Sequence, residues 1–203
     1  MLLEPSPDPA TQDRRVRRSR AALMTAAVRL VSERGTTDIP VTDLAEAADV
    51  SRRLVYLQFG DRDALLTEAA IDLVRRELLP QAEDGGDATR GVAALAQHFA
   101  HHRSFYRPML TGSCAFAMTS TLNKLFSSLN RPALRKLFGE LDQETADDLS
   151  EFVAGGAATI VNNWVIAGPD PLDPEELTNR LLRLASALTL THQVGPADGD
   201  HAR

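Results

Sequence analysis

Between Arg15 and Arg34 the apolar residues Leu23, Ala26, Ala27, Leu30 and Val31 recur at the spacing of one helix face. Gly35 follows at once, where a chain leaving a helix through the left-handed region needs a residue without a Cβ. A second, short helix is predicted over Val41 to Ala48. A third begins after Ser51, whose hydroxyl suits an N-cap, and turns Val55 and Phe59 inward. Gly60-Asp61 then breaks the pattern, and Asp61 can cap a fourth helix lasting to Pro80.

Gln81 to Asp87 reads as a loop. Beyond it the periodicity predicts helices at about 88–102, 104–110, 114–129 and 132–138, then two longer ones at about 142–167 and 174–193. Gly168-Pro169-Asp170-Pro171 separates the last two. Residues 1–13 carry three prolines and no apolar period, so a disordered tail is expected there, and residues 195–203 read as a frayed tail. No stretch alternates as a strand does. The fold class expected is all-α.

Composition narrows the function classes. Of the 203 residues 43% are hydrophobic and 25% charged, an ordinary soluble balance. No apolar run approaches the roughly 20 residues that cross a bilayer, so no membrane partner is expected. The segment Met1-Leu2-Leu3-Glu4-Pro5 lacks the marks of a signal peptide, and the single Cys114 excludes an internal disulfide. A cytoplasmic protein is the expectation.

Charge adds an asymmetry. The net charge is −6, which argues against a general polyanion binder. From Thr11 to Arg62, however, ten Arg face seven Asp or Glu, whereas from Asp63 onward twelve Lys or Arg face nineteen acids. Positive charge therefore gathers at the N-terminal end, as expected if that end alone meets nucleic acid.

The segment Val41 to Phe59, VTDLAEAADVSRRLVYLQF, fits a helix-turn-helix. Such a motif needs a small residue where its helices cross, and Ala45 supplies one. Its turn needs a residue that tolerates positive φ followed by a buried anchor, and Asp49 and Val50 fit. The second helix then exposes Arg52, Arg53, Tyr56, Leu57 and Gln58. An ordinary helical hairpin with a solvated basic face has the same spacing.

The runs AAVRLVSERG and VTDLAEAADVSRRLVYLQFGDRDALL resemble the TetR/AcrR family of regulators, specifically from about Leu23 to Leu66. The V-S-x-x-x-x-Y-x-x-F pattern and the charge at Arg62 carry the likeness. Past residue 80 it loosens to the FYRPML segment, the W-V-I-x-G pattern from Trp164 to Gly168, and a final amphipathic helix. The resemblance implies a three-helix helix-turn-helix DNA-binding domain at 14–61 and a helical effector-binding and dimerisation domain at 62–194. It implies a ligand-responsive homodimeric repressor of operator DNA; an activator, or a regulator insensitive to ligand, would look the same in sequence.

Position by position, the resemblance implies that Arg52 and Arg53 meet base edges, since a guanidinium can bond both acceptors of a guanine. Leu54 would touch a thymine methyl or else sit half-buried in the core. Tyr56, Gln58 and Arg62 would bind phosphates, which position the helix without choosing sequence. Thr42, Ser51 and Leu57 complete the surface that would meet DNA. Pro40 and Asp49 depart from the Thr and Gly usual in the family, the first removing a cap. Just upstream lie Arg14, Arg15, Arg17, Arg18 and Arg20. Of these, Arg17 and Arg18 are the expected DNA contacts, entering the minor groove or neutralising phosphates; a solvated basic tail is the plain alternative.

The helix at 142–167 aligns Phe152, Gly156 and Ile160 on an apolar stripe, and the last helix repeats Leu177, Leu181, Leu184 and Leu188. These are the expected dimer contacts, because a lone helix-turn-helix reads too few base pairs and a two-fold dimer matches an inverted repeat. The same stripes would equally close a monomer core. Gly155-Gly156 costs a helix about 1 kcal/mol per residue relative to Ala, which points to close backbone approach. Between the two ends lie His98, His102, Phe105, Tyr106 and Met109, then Leu110, Cys114, Met118 and Leu122. With Trp164 they would line a pocket for a small apolar or aromatic effector, although such side chains most often serve as plain core. His98, His101 and His102, even with Cys114, have no acidic partner at metal-site spacing, so no metal or other cofactor is expected. Nor is there a nucleophile, base or metal constellation, so no enzyme is expected.

Overall fold

The computed structural model describes residues 9–80, 88–139 and 141–193. The helices found there are α1 (Pro9–Arg34), α2 (Val41–Ala47), α3 (Arg52–Phe59), α4 (Arg62–Glu77), α5 (Ala88–His101), α6 (Arg103–Thr111), α7 (Ala115–Phe138), α8 (Gln143–Ala167) and α9 (Pro174–Gln193). Among the described residues there is no strand, as the sequence leads one to expect. The loop expected at 81–87, the tail residues 1–8 and the frayed tail at 195–203 lie outside the described residues.

Two helices differ from expectation. α1 starts at Pro9 and so includes residues assigned to a disordered tail. Proline suits a helix start, because its φ is already helical and it has no N–H left to satisfy. Residues expected as separate helices at 114–129 and 132–138 form the single α7, which runs on through Pro132. A proline inside a helix removes one hydrogen bond and crowds one turn, at roughly 3 kcal/mol. Burial of Leu134 beyond it offsets part of that cost.

The chain forms two compact units. The first comprises residues up to Val74 together with Ser104–Met118; the second comprises Arg75–Arg103 and the residues from Thr119 onward. The first unit thus reaches past residue 61, where the sequence places a domain boundary. Its core is built from the inward faces of α1 to α4, with Leu23, Val31, Leu44, Val55, Leu65 and Leu66 fully buried. α6 adds Phe105, Tyr106 and Met109, and the Tyr106 hydroxyl donates to the Ala70 carbonyl at 3.4 Å.

In the second unit α5 packs on α8 and α9. Arg103 ties off the end of α8: its Nε donates to the Val165 carbonyl at 3.1 Å, and its Nη atoms to those of Gly168 and Pro169, each at 2.7 Å. A cation there satisfies orphan carbonyls and opposes the negative end of the helix dipole. At the other end Asp142 accepts from the Thr145 N–H at 2.9 Å, an ordinary N-cap. No described helix is long and apolar enough to cross a membrane.

Candidate nucleic-acid interface

α2 and α3 meet through a tight turn. Ala45 is buried at their crossing, and its carbonyl accepts from the Val50 N–H at 2.9 Å. Asp49 has φ 53°, the left-handed conformation the turn demands and one that Asp tolerates. Ser51 caps α3, its hydroxyl accepting from the Leu54 N–H at 3.4 Å. Pro40 starts α2 with no side-chain cap, as its sequence implies.

Val55 and Phe59 hold the inner face of α3 in the core. Its outer face turns Arg52 and Arg53 to solvent, with Tyr56 at 54% and Leu57 at 78% exposure. Ser51 and Thr42 are exposed beside them, and Leu54 is half-buried. Two arginines and a phenol on so short a helix give donors for base acceptors and phosphates alike, and the apolar Leu57 can meet a thymine methyl.

Three expected contacts have partners or surroundings that sequence does not reveal. Arg62 is paired inside the protein: its Nη1 donates to Asp38 at 2.7 Å and its Nε to Asp63 at 2.9 Å. The bond to Asp63 raises its already high pKa, burial opposes that, and the bond to Asp38 adds to it. Both amide atoms of Gln58 are withdrawn from solvent and find no hydrogen-bond partner among the described residues, so meeting a phosphate requires the side chain to turn outward. The arginine cluster is helical, not an extended arm. Arg14, Arg15, Arg17 and Arg18 project from α1 into solvent, whereas Arg20 turns inward. Arg20 pairs with Glu68, donates to the Gln58 carbonyl at 2.8 Å and lies 4.3 Å over the Phe59 ring. It ties the end of α3 to α1 and α4, and these bonds hold its guanidinium against the protein.

The residues expected around an effector divide between the units. Phe105, Tyr106, Met109, Cys114 and Met118 are buried in the first, where they act as its core, and Leu110 is half-buried. Leu122 and Trp164 are buried in the second. The indole Nε1 of Trp164 is sealed from solvent with no acceptor among the described residues. His98 is also buried there, and burial above all pushes it down to about 4, the charge of His102 acting in the same sense and Glu77 opposing. Its imidazole is therefore neutral at ordinary pH.

The stripes expected at a dimer seam divide as well. Phe152 is 70%, Leu184 44% and Leu188 41% exposed. Leu181 and Ile160 are half-buried and Gly156 is exposed. Leu177 is a correction: at 1% exposure it closes the core of its own unit. It sits near the start of α9, where burial is deeper than at Leu184 and Leu188. A Cβ placed on Gly155 or Gly156 would meet nothing within 4 Å, so no close approach among the described residues explains those glycines.

An exposed basic helix set on a helix-turn-helix within an all-helical fold defines a DNA-binding transcriptional regulator. Residues 23–69 match the family model described as bacterial regulatory proteins, tetR family. The HTH-type transcriptional regulator BetI of Burkholderia mallei is 30% identical over 181 residues, covering 82% of this chain and 89% of that protein. The chain belongs to the TetR family of transcriptional regulators. Among solved structures it resembles Thermus thermophilus FadR, a TetR-family repressor crystallised with lauroyl-CoA, at TM-score 0.62 and 20% identity over 91% of this chain and all of that one. It also resembles the TetR-family repressor AlkX of Dietzia sp., at TM-score 0.57 and 19% identity over 84% of this chain and 97% of that one.

Proposed function

We propose that this regulator is a cytoplasmic, homodimeric repressor that reads an inverted repeat and releases it when a small, largely apolar effector binds. The observation that carries the reading is the outer face of α3, where Arg52, Arg53, Tyr56 and Leu57 stand exposed on a helix whose inner face is locked in the core. Arg52 and Arg53 meet bases, with Leu54 at their margin. Tyr56, Thr42, Ser51 and the α1 residues Arg17 and Arg18 meet the backbone.

The exposed Phe152, Leu184 and Leu188 support pairing of α8 and α9 across a two-fold axis, with Leu181, Ile160 and Gly156 at its edge. The orphan N–H of Trp164 supports an effector that carries one acceptor on an otherwise apolar body, since a buried donor left unmade costs about 1–3 kcal/mol. The effector acts by binding one dimer arrangement better than the other; a hundredfold loss of operator affinity needs about 2.7 kcal/mol of such preference.

Titration with DNA from beside its own gene, at several salt concentrations, tests the first half. Tight, salt-sensitive binding to an inverted repeat is expected; equal affinity for unrelated duplexes would remove the reading. A thermal-shift screen of apolar acids, aromatics and acyl compounds, followed by operator titration with each hit, tests the second. Hits that leave operator affinity unchanged would make this a ligand-insensitive regulator.

A further inference from the structure

In the second unit the last turn of α4 and the end of α5 bring together a carboxylate and two imidazoles. Glu77 is the last residue of α4, and His98 and His102 lie four apart on and just beyond α5. Glu77 Oε2 is 2.6 Å from His102 Nε2 and 3.3 Å from His98 Nδ1. One donor atom from each of the three lies within 4.8 Å of the others. The His98 side chain is 4% exposed, that of His102 16% and that of Glu77 42%. The imidazoles are thus packed in place while the carboxylate reaches solvent, which leaves an ion a way in.

We propose that Glu77, His98 and His102 bind one divalent first-row transition-metal ion, with zinc as the reference ion, and so fasten the end of α4 to α5. Imidazole and carboxylate donors suit zinc, nickel, copper(II) or iron(II); two nitrogen donors disfavour magnesium and calcium, which take oxygen. Metal–ligand bonds of about 2.0–2.1 Å set tetrahedral donors about 3.3 Å apart. The Glu77–His98 separation already has that value. The Glu77–His102 pair is closer by less than an ångström. Glu77, half in solvent at a helix end, can withdraw that far when an ion replaces the shared proton. Three protein donors leave a fourth position for water or another ligand.

The exposed His101 ring, 4.6 Å from that of His102 between centroids, stands outside the group and serves as an internal control. The sequence gives only half of this site. The His98/His102 spacing is visible in it, but the acid comes from a residue 25 positions from His102.

The test uses the full-length chain without an affinity tag, stripped with a chelator. Titration with zinc by calorimetry and with cobalt(II) by visible absorption is expected to show one ion per chain. Zinc is expected to raise the melting temperature as any ligand specific to the folded state does. Glu77→Gln and His102→Gln are expected to lower zinc affinity about tenfold or more and to abolish the cobalt bands; His101→Gln is expected to change neither. Melting curves without metal show that the variants fold, and the near-isosteric Glu77→Gln keeps the test decisive if His102→Gln does not. No saturable binding by the parent chain would overturn the proposal. So would unchanged affinity in Glu77→Gln, or a loss in His101→Gln equal to that in His102→Gln.

Discussion

The guanidinium of Arg62 donates to the carboxylate of Asp38 across 2.7 Å, so the cation at the start of α4 is engaged before any DNA arrives. Asp63 holds its other edge. A phosphate that binds Arg62 must displace or share these carboxylates.

That pairing sets the first expectation. An unpaired phosphate-binding cation contributes about one unit to the salt slope of binding. Arg62→Ala is expected to weaken all duplexes alike but to flatten the slope by clearly less than one. Asp38→Ala is expected to strengthen binding at low salt, because it removes a competitor. Operator titrations across salt concentrations check both, and a full unit lost in Arg62→Ala would show that the ion pair opens on binding without penalty.

Arg52 and Arg53 behave differently because both are exposed. Arg52→Ala or Arg53→Ala is expected to cost about 1–3 kcal/mol and to relax preference at one position in each half-site. Binding to single-base variants of the operator measures this. Full retention of sequence preference in both variants would place the reading surface elsewhere.

Exposure also separates the leucines of α9. Leu184→Asp is expected to leave a folded monomer, since it charges a surface residue that pairing would cover, at several kcal/mol per dimer. Leu177→Asp is expected to unfold the chain, because that side chain is buried in its own unit. Sedimentation and circular dichroism together tell dissociation from unfolding; a Leu184→Asp chain that remains dimeric would move the seam away from α9.

Cys114 is fully buried, and burial pushes its thiol up to about 11. The thiolate is the reactive form, so a thiol reagent at pH 8 is expected to leave the folded chain untouched and to label it on unfolding. The raised value also gives a direction for stability. Below about 9, the ordinary value, the thiol is protonated folded or unfolded; as pH rises from there toward 11 only the folded form keeps its proton, and stability falls. Rapid labelling of the native chain at pH 8 would contradict the burial.

Local rules made much of this legible. Gly35, Asp49, Ser51 and Asp61 each do what their side chains allow, with Asp61 accepting from the Ala64 N–H at 2.7 Å. The bounds of α8 and α9 follow from Asp142, Gly168 and Pro174. Where sequence misled, a distant partner decided. Periodicity shows that Leu177 and Leu184 share a stripe, but not that the fold buries only the first of them. It shows a basic run from Arg14 to Arg20, but not that Glu68 and Phe59 draw the last arginine inward. The carboxylate beside His98 and His102 was invisible for the same reason.

Arg20 has a mechanical consequence. By gripping the Gln58 carbonyl, Glu68 and the face of Phe59, it welds α1 to the far end of α3. Arg17 and Arg18 ride on that same rod, so the basic face and the reading face keep a fixed angular offset. A rigid stamp of this kind fits a duplex of one particular pitch. With the contacts proposed above, overwinding or unwinding the operator would move the phosphates out from under α1 while the bases stay under α3, and binding would then register torsion in the DNA as well as the order of the bases.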